Sequence, residues 1–225
     1  LLYTQFTSTA TEIAIQPIDS ARPQLLRFPA GTQPLGGSWG PVDEQILLTL
    51  MQDGNADIFQ YDLTSGTLQR VIEWPSLETS PAWSPDGERI AFVSDRRRFR
   101  QPGIYVHELA SRKSVRIPFE GRYASSPRWS PDGKFLLFEA LRNGVFQIFK
   151  LELESEQVQQ LTFGPFHSEQ PDWSPNGQQI VFSARRTGVP KLYYMSAYGG
   201  RMVRVTAQPP NVAETAPAWS KVSPP

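Results

Sequence analysis

The stretch GGSWG, Gly36 to Gly40, matches the G-x-S-x-G pattern that surrounds the nucleophilic serine of many hydrolases. Such a serine needs a strand-to-helix turn and a histidine partner. A strand is predicted to follow Ser38, and the whole chain holds only two histidines, His107 and His167. We therefore interpret Ser38 as a structural residue and predict no catalytic residue.

Metal chemistry has little support in the residue types. The chain has no cysteine, which excludes thiolate catalysis, disulfides and cysteine-ligated zinc. Asp53, Asn55 and Asp57 do have the alternate-oxygen spacing of a calcium loop. However, Ile58 and Thr64 occupy the sixth and twelfth positions, where the pattern needs glycine and glutamate. A Gly-Asn hairpin turn explains the segment, so no metal or cofactor is assigned and calcium remains a minor alternative.

Overall composition excludes other classes of function. The 22 basic and 22 acidic residues give zero net charge, so bulk charge gives no reason to expect nucleic acid as a partner. No apolar run approaches the roughly 20 residues that span a bilayer, so we expect no membrane insertion of this segment. Because the chain begins with neither Met nor a signal peptide, we expect it to be processed or cut from a longer protein.

An internal repeat dominates the chain. Tryptophans at positions 39, 83, 129, 173 and 219 follow one another at intervals of 44, 46, 44 and 46 residues. The sequences around them are GGSWGPVDEQILL, SPAWSPDGERIAF, SPRWSPDGKFLLF, QPDWSPNGQQIVF and APAWS. A period of 40–50 residues with four strands per unit is typical of propeller blades. Five copies therefore predict five blades.

Each repeat divides into four short strands. In the third repeat these are PAWS, IAFVS, IYVHEL and SVRIPF, and Pro-Asp-Gly or similar turns separate them. We predict an all-β, five-bladed β-propeller with four antiparallel strands per blade. The repeat units cover approximately residues 1–30 plus 215–220, 36–74, 80–119, 126–164 and 170–207, all in one domain. Leu1–Phe6 is predicted to pair with the strand containing Trp219 and thereby to close the ring.

The repeat resembles the TolB-like propeller family, and the resemblance covers essentially the whole chain. Its clearest copy is QPDWSPNGQQIVFSARRTGVPKLYYMSAYGGRMVRVT, which shows the order Trp-Ser-Pro-(Asp/Asn)-Gly, strand, basic loop, tyrosine-rich strand and Arg-Val-Thr. Members of this family are adaptor proteins outside the cytoplasm, or substrate-gating domains attached to peptidases. The resemblance thus implies a bacterial protein of the periplasm or the extracellular space.

Basic residues concentrate in the loops between the second and third strands of blades 3, 4 and 5. Strand reversal places these loops on one face, where they could bind an acidic partner through arginine forks. Solvated hairpin tips are the simpler interpretation. The residues are Arg96, Arg97, Arg98 and Arg100 in blade 3, Arg142 in blade 4, and Arg185, Arg186 and Lys191 in blade 5.

Loops that enter the first strands lie on the same predicted face. Tyr123, Phe166 and His167 are candidate contacts for a ligand at the mouth of the channel, and burial under a neighbouring blade is the alternative.

Three functions are compatible with this pattern. The favoured one is a monomeric, non-enzymatic scaffold that binds a protein or peptide, and an acidic partner would suit the basic loops. The second is a gating or sensory propeller of a larger hydrolase or membrane-anchored protein. The third is a five-bladed glycosidase, which needs two carboxylates about 5–10 Å apart. Its candidates are Glu78, Glu169, Asp172 and Glu214, and none has a sequence setting that suggests a tuned pKa.

Overall fold

The structure is a computed structural model that describes residues 2–8, 10–17, 22–41, 44–97, 101–119, 121–209 and 211–219. All of the secondary-structure elements in these ranges are β-strands, numbered β1 to β19. They form five antiparallel sheets, each built from strands consecutive in sequence. The predicted all-β, five-bladed β-propeller is therefore confirmed.

The chain divides into two compact units, Leu1–Val115 and Arg116–Pro225. Unit 1 contains blades 1 to 3. Blade 1 consists of β1 (Leu2–Phe6), β2 (Thr11–Ile15) and β3 (Gln24–Leu25). Blade 2 consists of β4 (Gln33–Trp39), β5 (Gln45–Gln52), β6 (Asn55–Asp62) and β7 (Leu68–Ile72). Blade 3 consists of β8 (Glu78–Trp83), β9 (Arg89–Ser94), β10 (Gly103–Glu108) and β11 (Lys113–Arg116).

Unit 2 contains blades 4 and 5. Blade 4 consists of β12 (Arg122–Trp129), β13 (Phe135–Arg142), β14 (Val145–Glu152) and β15 (Val158–Gln160). Blade 5 consists of β16 (Ser168–Trp173), β17 (Gln179–Thr187), β18 (Val189–Ser196) and β19 (Val203–Arg204). In both blades the middle strands are the most buried, as their runs of Leu, Ile, Val and Phe predict.

Two of the repeated tryptophans, Trp83 and Trp173, pack against a neighbouring blade of the same unit. Trp173 of blade 5 is 6% exposed and belongs to a core cluster with Leu137 and Ile148 of blade 4. Trp83 of blade 3 packs on a cluster that includes Leu47 of blade 2. These two side chains therefore contribute to the core between blades. Trp39 and Trp219 differ, because 38% of the surface of each is exposed.

A buried serine after the tryptophan fixes the turn between the first and second strands. In blade 4, the Ser130 hydroxyl accepts the Phe135 N–H at 2.9 Å and donates to Asp132 Oδ1 at 2.6 Å. Ser84 and Ser174 make the same contacts in blades 3 and 5. The Ser-Pro-(Asp/Asn)-Gly motif thus encodes a hydrogen-bonded turn, as the repeat predicts.

A β-bulge lies three residues before the tryptophan in blades 3, 4 and 5. Ser80, Ser126 and Gln170 have φ angles of 52°, 54° and 56°, in the left-handed region. The strand register shifts at each of them. A bulge of this kind bends the strand and redirects the residues before it, so it determines the direction of the loops that enter the first strands.

Blade 1 departs from the prediction of four strands, because its sheet has three strands in the described part of the chain. Residues 213–219 keep the bulged backbone of a first strand, with a φ of 50° at Ala216, but they carry no strand assignment. Backbone N–H groups of this segment donate hydrogen bonds to side chains of β16. The Ala216 N–H is donated to Gln170 Oε1 at 2.7 Å, and the Trp219 N–H to Asp172 Oδ2 at 3.0 Å. The predicted strand around Trp219 is thus replaced by an extended segment, and ring closure remains a prediction.

A buried ion pair anchors this extended segment to blade 5. Lys191 Nζ lies 3.5 Å from Glu214 Oε1 and donates to the carbonyls of Pro209 and Val212 at 2.6 and 2.7 Å. Glu214 also accepts the Leu192 N–H at 3.2 Å. Because buried charges need partners, the lysine and the segment hold each other in place.

We expect Ser130→Ala to destabilise the protein by about 1–3 kcal/mol, because the buried Phe135 N–H loses its acceptor. The measurement is urea unfolding followed by tryptophan fluorescence. The control is Ser155→Ala, which removes an exposed hydroxyl that bonds Glu152 and should change stability by less than about 0.5 kcal/mol. Equal effects of the two substitutions would contradict the assigned role of the turn.

We expect Glu214→Ala to lower the melting temperature and to expose the segment around residue 212 to proteases. The physical reason is that a buried lysine loses its counterion. Limited proteolysis with mass spectrometry locates the new cleavage, and the exposed Glu154→Ala serves as a control. A cleavage pattern and melting temperature equal to those of the wild type would show that the ion pair does not anchor the segment.

Candidate functional site

Aromatic and basic side chains from four segments of unit 2 form two neighbouring groups of contacts at one end of blades 4 and 5. The rings of Tyr123 and Phe146 meet edge to face, with centroids 5.4 Å apart. The Phe146 ring also lies 5.8 Å from the ring of His167. The Arg186 guanidinium lies 5.0 Å from the centroid of Phe166, in a cation–π contact. We call these five residues the aromatic–basic surface.

Hydrogen bonds to blade 4 hold the loop before β16, which carries Phe166 and His167. The Gln147 side-chain amide donates to the carbonyls of Gly164 and Phe166, at 3.2 and 3.0 Å. His167 Nδ1 accepts the Phe146 N–H at 3.3 Å. These hydrogen bonds fix the conformation of the loop.

Tyr123 has a strained backbone. Its φ angle is 54°, and the register of β12 with β13 shifts next to it. A positive φ is rare for a bulky residue, and such strain concentrates at functional sites. The ring remains 43% exposed although it packs on Phe146. The strain therefore presents an aromatic ring at the surface.

Positive charge on this side of unit 2 is only partly neutralised. Arg185 Nε lies 3.4 Å from Glu169 Oε2, and the arginine side chain remains 52% exposed. The ion pairs of the described residues include neither Arg186 nor Arg142. The surface thus combines one exposed and three partly buried aromatic rings with guanidinium groups that have no carboxylate partner among those residues.

The structure brings together five of the residues that the sequence singled out, namely Tyr123, Phe166, His167, Arg185 and Arg186. Arg142 is exposed at the end of β13, in the hairpin that precedes Phe146. Arg96 and Arg97 belong to unit 1. Arg98 and Arg100 lie outside the described residues.

The family of this propeller can be identified from its sequence. A sequence model of the TolB beta propeller domain matches residues 1–223, nearly the whole chain. The chain belongs to the TolB β-propeller family.

Two known TolB proteins are similar to this chain, and in each the similarity covers only part of the TolB protein. The Tol-Pal system protein TolB of Helicobacter pylori is 33% identical over 79 residues, which are 35% of this chain and 18% of that protein. The crystal structure of TolB from Acinetobacter baumannii superimposes with a TM-score of 0.81 and 24% identity, and covers 91% of this chain and 52% of that one. The chain therefore spans about half of that TolB.

The propeller fold also occurs in peptidases. A puromycin-hydrolyzing peptidase from Mycobacterium tuberculosis superimposes with a TM-score of 0.66 and 15% identity. The match covers 92% of this chain and 37% of the peptidase. At this identity the likeness concerns the fold alone.

Lys191 does not belong to the basic surface of this TolB-family propeller, contrary to the sequence-based expectation. Its side chain is 2% exposed and its ammonium group is bound by Glu214 and by two backbone carbonyls. The sequence pattern Arg-Arg-x-x-x-x-Lys suggested a basic loop, but the alternation of β18 directs this lysine inward.

The four carboxylates considered for glycosidase chemistry have separate structural partners. Glu169 pairs with Arg185, Asp172 accepts the Trp219 N–H, and Glu214 pairs with Lys191. Glu78 is fully buried and accepts the hydroxyls of Ser76 and Ser94, at 2.6 and 2.9 Å.

The expectation that no axial carboxylate has a tuned pKa is wrong for Glu78. Burial raises the pKa of Glu78 from 4.5 to about 7, with a smaller increase from Asp57, and the two serine hydroxyls lower it in part. Sequence alone could not show this, because desolvation depends on the blades packed around the side chain.

The calcium alternative at Asp53, Asn55 and Asp57 finds no support in the geometry. The Asn55 amide donates to Asp57 Oδ1 at 3.2 Å, and Arg70 Nε lies 3.6 Å from Asp57 Oδ2. The aspartate is thus satisfied by protein donors. Across the described residues, no group of three or more histidine or acidic side chains is placed to hold a metal ion.

Ser38 lies in β4 opposite Leu47, which confirms its interpretation as a strand residue. The histidines also have other contacts, His107 with Ser114 and His167 with Phe146. Within the described ranges, the structure contains no helix long and apolar enough to cross a membrane.

Two residues that build or support this surface were not singled out from the sequence. Phe146 connects Tyr123 to His167, and the buried Glu139 bonds Ser125, Ser126 and the backbone of Gln170. Phe146 could not be singled out, because the sequence does not distinguish an apolar strand residue at the surface from one in the core. A glutamate in the run FLLFEALR does give one, because a charge inside a buried strand requires partners.

We expect the stability of the protein to fall between pH 5 and pH 8 because of Glu78. A carboxyl whose pKa is raised in the folded state stabilises fully below its unfolded value, near 4.5, and loses that contribution as pH rises through about 7. Glu78→Gln should flatten the profile and stabilise the protein at pH 8. The measurement is the melting temperature across this range, with exposed Glu88→Gln as the control. A wild-type profile for Glu78→Gln would contradict the raised pKa.

Proposed function

We propose that this TolB-family propeller is a non-enzymatic scaffold that binds another protein or a peptide through the aromatic–basic surface. The observation that carries the proposal is the pre-formed cluster of Tyr123, Phe146, Phe166, His167 and Arg186. Aromatic residues and arginine are the types most enriched at binding hot spots. A surface already held in place loses little conformational entropy on binding.

The partner that suits this surface is acidic. Arg186 and Arg142 offer guanidinium groups without a carboxylate partner among the described residues, and arginine can bind a carboxylate through two parallel hydrogen bonds. The aromatic rings supply apolar contact beside these charges. An acidic peptide or protein segment with apolar side chains would complement both.

We also propose that the protein is located outside the cytoplasm and is monomeric. The location is supported by membership of the TolB family, whose curated relative is a protein of the Tol-Pal system. Catalysis is not part of the proposal. Ser38 is a strand residue, and Glu169, Asp172 and Glu214 hold backbone or ion-pair contacts.

The test is affinity capture from an extract of the source organism with wild-type protein and the double substitution Arg185→Ser/Arg186→Ser. A second variant, Tyr123→Ser, removes the exposed ring. We expect both variants to lose at least one partner that the wild type captures reproducibly, and the loss to be larger at low salt for the arginine variant. Quantitative mass spectrometry measures the captured proteins.

The matched control is Lys134→Ser, which removes an exposed charge from the Pro-Asp-Gly turn of the same unit. All variants must unfold at temperatures close to that of the wild type. If both surface variants retain every captured partner at low and at moderate salt, the arginines are solvated loop residues and the proposal fails.

A further inference from the structure

Unit 1 contains a cleft between the outer strands of blades 2 and 3. This cleft has a volume of about 600 Å³, within the range of roughly 300–1,000 Å³ that is usual for ligand pockets. We call it the β7–β10 groove. Its principal lining residues are Gln60, Arg70, Trp74, Arg96, His107 and Arg112.

Arg96 is held against an aromatic wall of the groove. Its guanidinium lies 4.2 Å from the centroid of the Trp74 ring. Trp74 in turn contacts Phe92 and Tyr105, with ring centroids 5.3 and 5.2 Å away. A guanidinium stacked on a fixed ring keeps the hydrogen-bond donors at its edge free. Arg96 is therefore oriented for a ligand before any ligand arrives.

The groove also contains a second arginine beside a buried histidine. His107 Nδ1 lies 2.9 Å from the Ser114 hydroxyl, and burial together with the charge of Arg112 lowers the pKa of His107. The histidine is therefore neutral at pH 7, and the charge at this position belongs to the exposed Arg112. The ion pairs of the described residues involve neither Arg96 nor Arg112.

Other polar side chains also line the groove. Arg70 lies 2.6 Å from Glu73 and 3.6 Å from Asp57, so its charge is balanced. Gln60 and Gln69 line the groove with side-chain amides. Each amide offers a donor and an acceptor, which is the pair of groups that a peptide backbone requires.

Arg96 and Arg112 lie toward opposite ends of one strand. Arg96 precedes β10 and Arg112 follows it, and β10 has six residues. A strand of this length extends over about 20 Å. An extended chain with two acidic side chains can place one carboxylate near each end of this strand, whereas a single small anion occupies one position.

We propose that the β7–β10 groove binds an extended acidic peptide segment of another protein, with one carboxylate at Arg96 and a second at Arg112. The ring of Trp74 covers apolar parts of the peptide, and the glutamine amides bond its backbone. This site uses residues of unit 1 and is separate from the aromatic–basic surface of unit 2. The protein would thus hold partners at two places.

The experiment uses fluorescein-labelled ten-residue peptides in which two glutamates are separated by two to six glycine, serine or threonine residues. Fluorescence anisotropy measures their binding to the full chain. We expect the peptides with four or five intervening residues to bind most tightly, and the matched peptides with glutamine to bind at least tenfold more weakly. Arg96→Gln and Arg112→Gln should each weaken binding at least fivefold.

Two control substitutions remove the same charge one residue away. Arg97→Gln and Lys113→Gln alter exposed side chains that do not line the groove, and they should change the affinity less than twofold. Arg185→Ser/Arg186→Ser should also leave peptide binding unchanged, which separates this site from the proposed scaffold surface. Melting temperatures verify that every variant is folded.

Three results would overturn the proposal. One is the absence of binding by any glutamate peptide at millimolar protein. Another is equal weakening by the groove variants and their neighbours, which would indicate a non-specific charge effect. The third is displacement of the best peptide by equimolar glutarate or inorganic phosphate, which would identify the groove as a site for small anions.

Discussion

The structure depends most on the β-bulge in the first strands of blades 3, 4 and 5. At Ser80, Ser126 and Gln170 the backbone adopts a positive φ, which costs about 1–2 kcal/mol for a residue with a Cβ atom. The register shift at this point turns the beginning of each first strand away from the direction of its end. The loops that enter these strands, and therefore their exposed side chains, take their direction from the bulge.

In unit 2 a buried carboxylate stabilises two of these bulges together. Glu139 of β13 accepts the hydroxyls of Ser125 and Ser126 through one oxygen and the Gln170 N–H through the other. A charge-assisted hydrogen bond is stronger than a neutral one, so this side chain offsets part of the backbone strain. It also links blade 4 to blade 5 close in sequence to Tyr123 and His167. The rigidity of the aromatic–basic surface therefore originates in the core below the loops.

Neighbouring blades are joined by an apolar cluster and by buried acidic side chains in both units. Blades 4 and 5 meet through Trp173, Leu137 and Ile148 in an apolar cluster. Blades 2 and 3 combine an apolar cluster with buried acids, since Asp57 and Glu78 are both nearly inaccessible to solvent. Burial raises the pKa of both acids, and Arg70 opposes the increase at Asp57. Polar side chains also line the β7–β10 groove between the outer strands of the same two blades.

The sequence by itself determined the fold class, the number of blades and the turns. These features follow from local chemistry: the tryptophan interval, the alternation of apolar residues and the Ser-Pro-Asp-Gly hydrogen bonds all act within one repeat. It also located the loops that carry Tyr123, Phe166, His167, Arg185 and Arg186, because strand reversal assigns loops to faces.

Only the tertiary structure decided how individual side chains are used. Lys191 and Arg186 stand in the same stretch of basic residues, yet one is buried against Glu214 and the other lies on Phe166. The raised pKa of Glu78 and the stacking of Arg96 on Trp74 are likewise absent from any local pattern. Desolvation, ion pairing and ring stacking depend on atoms contributed by different blades, and their separation in space is set by the packing of the blades and not by the spacing of residues along the chain.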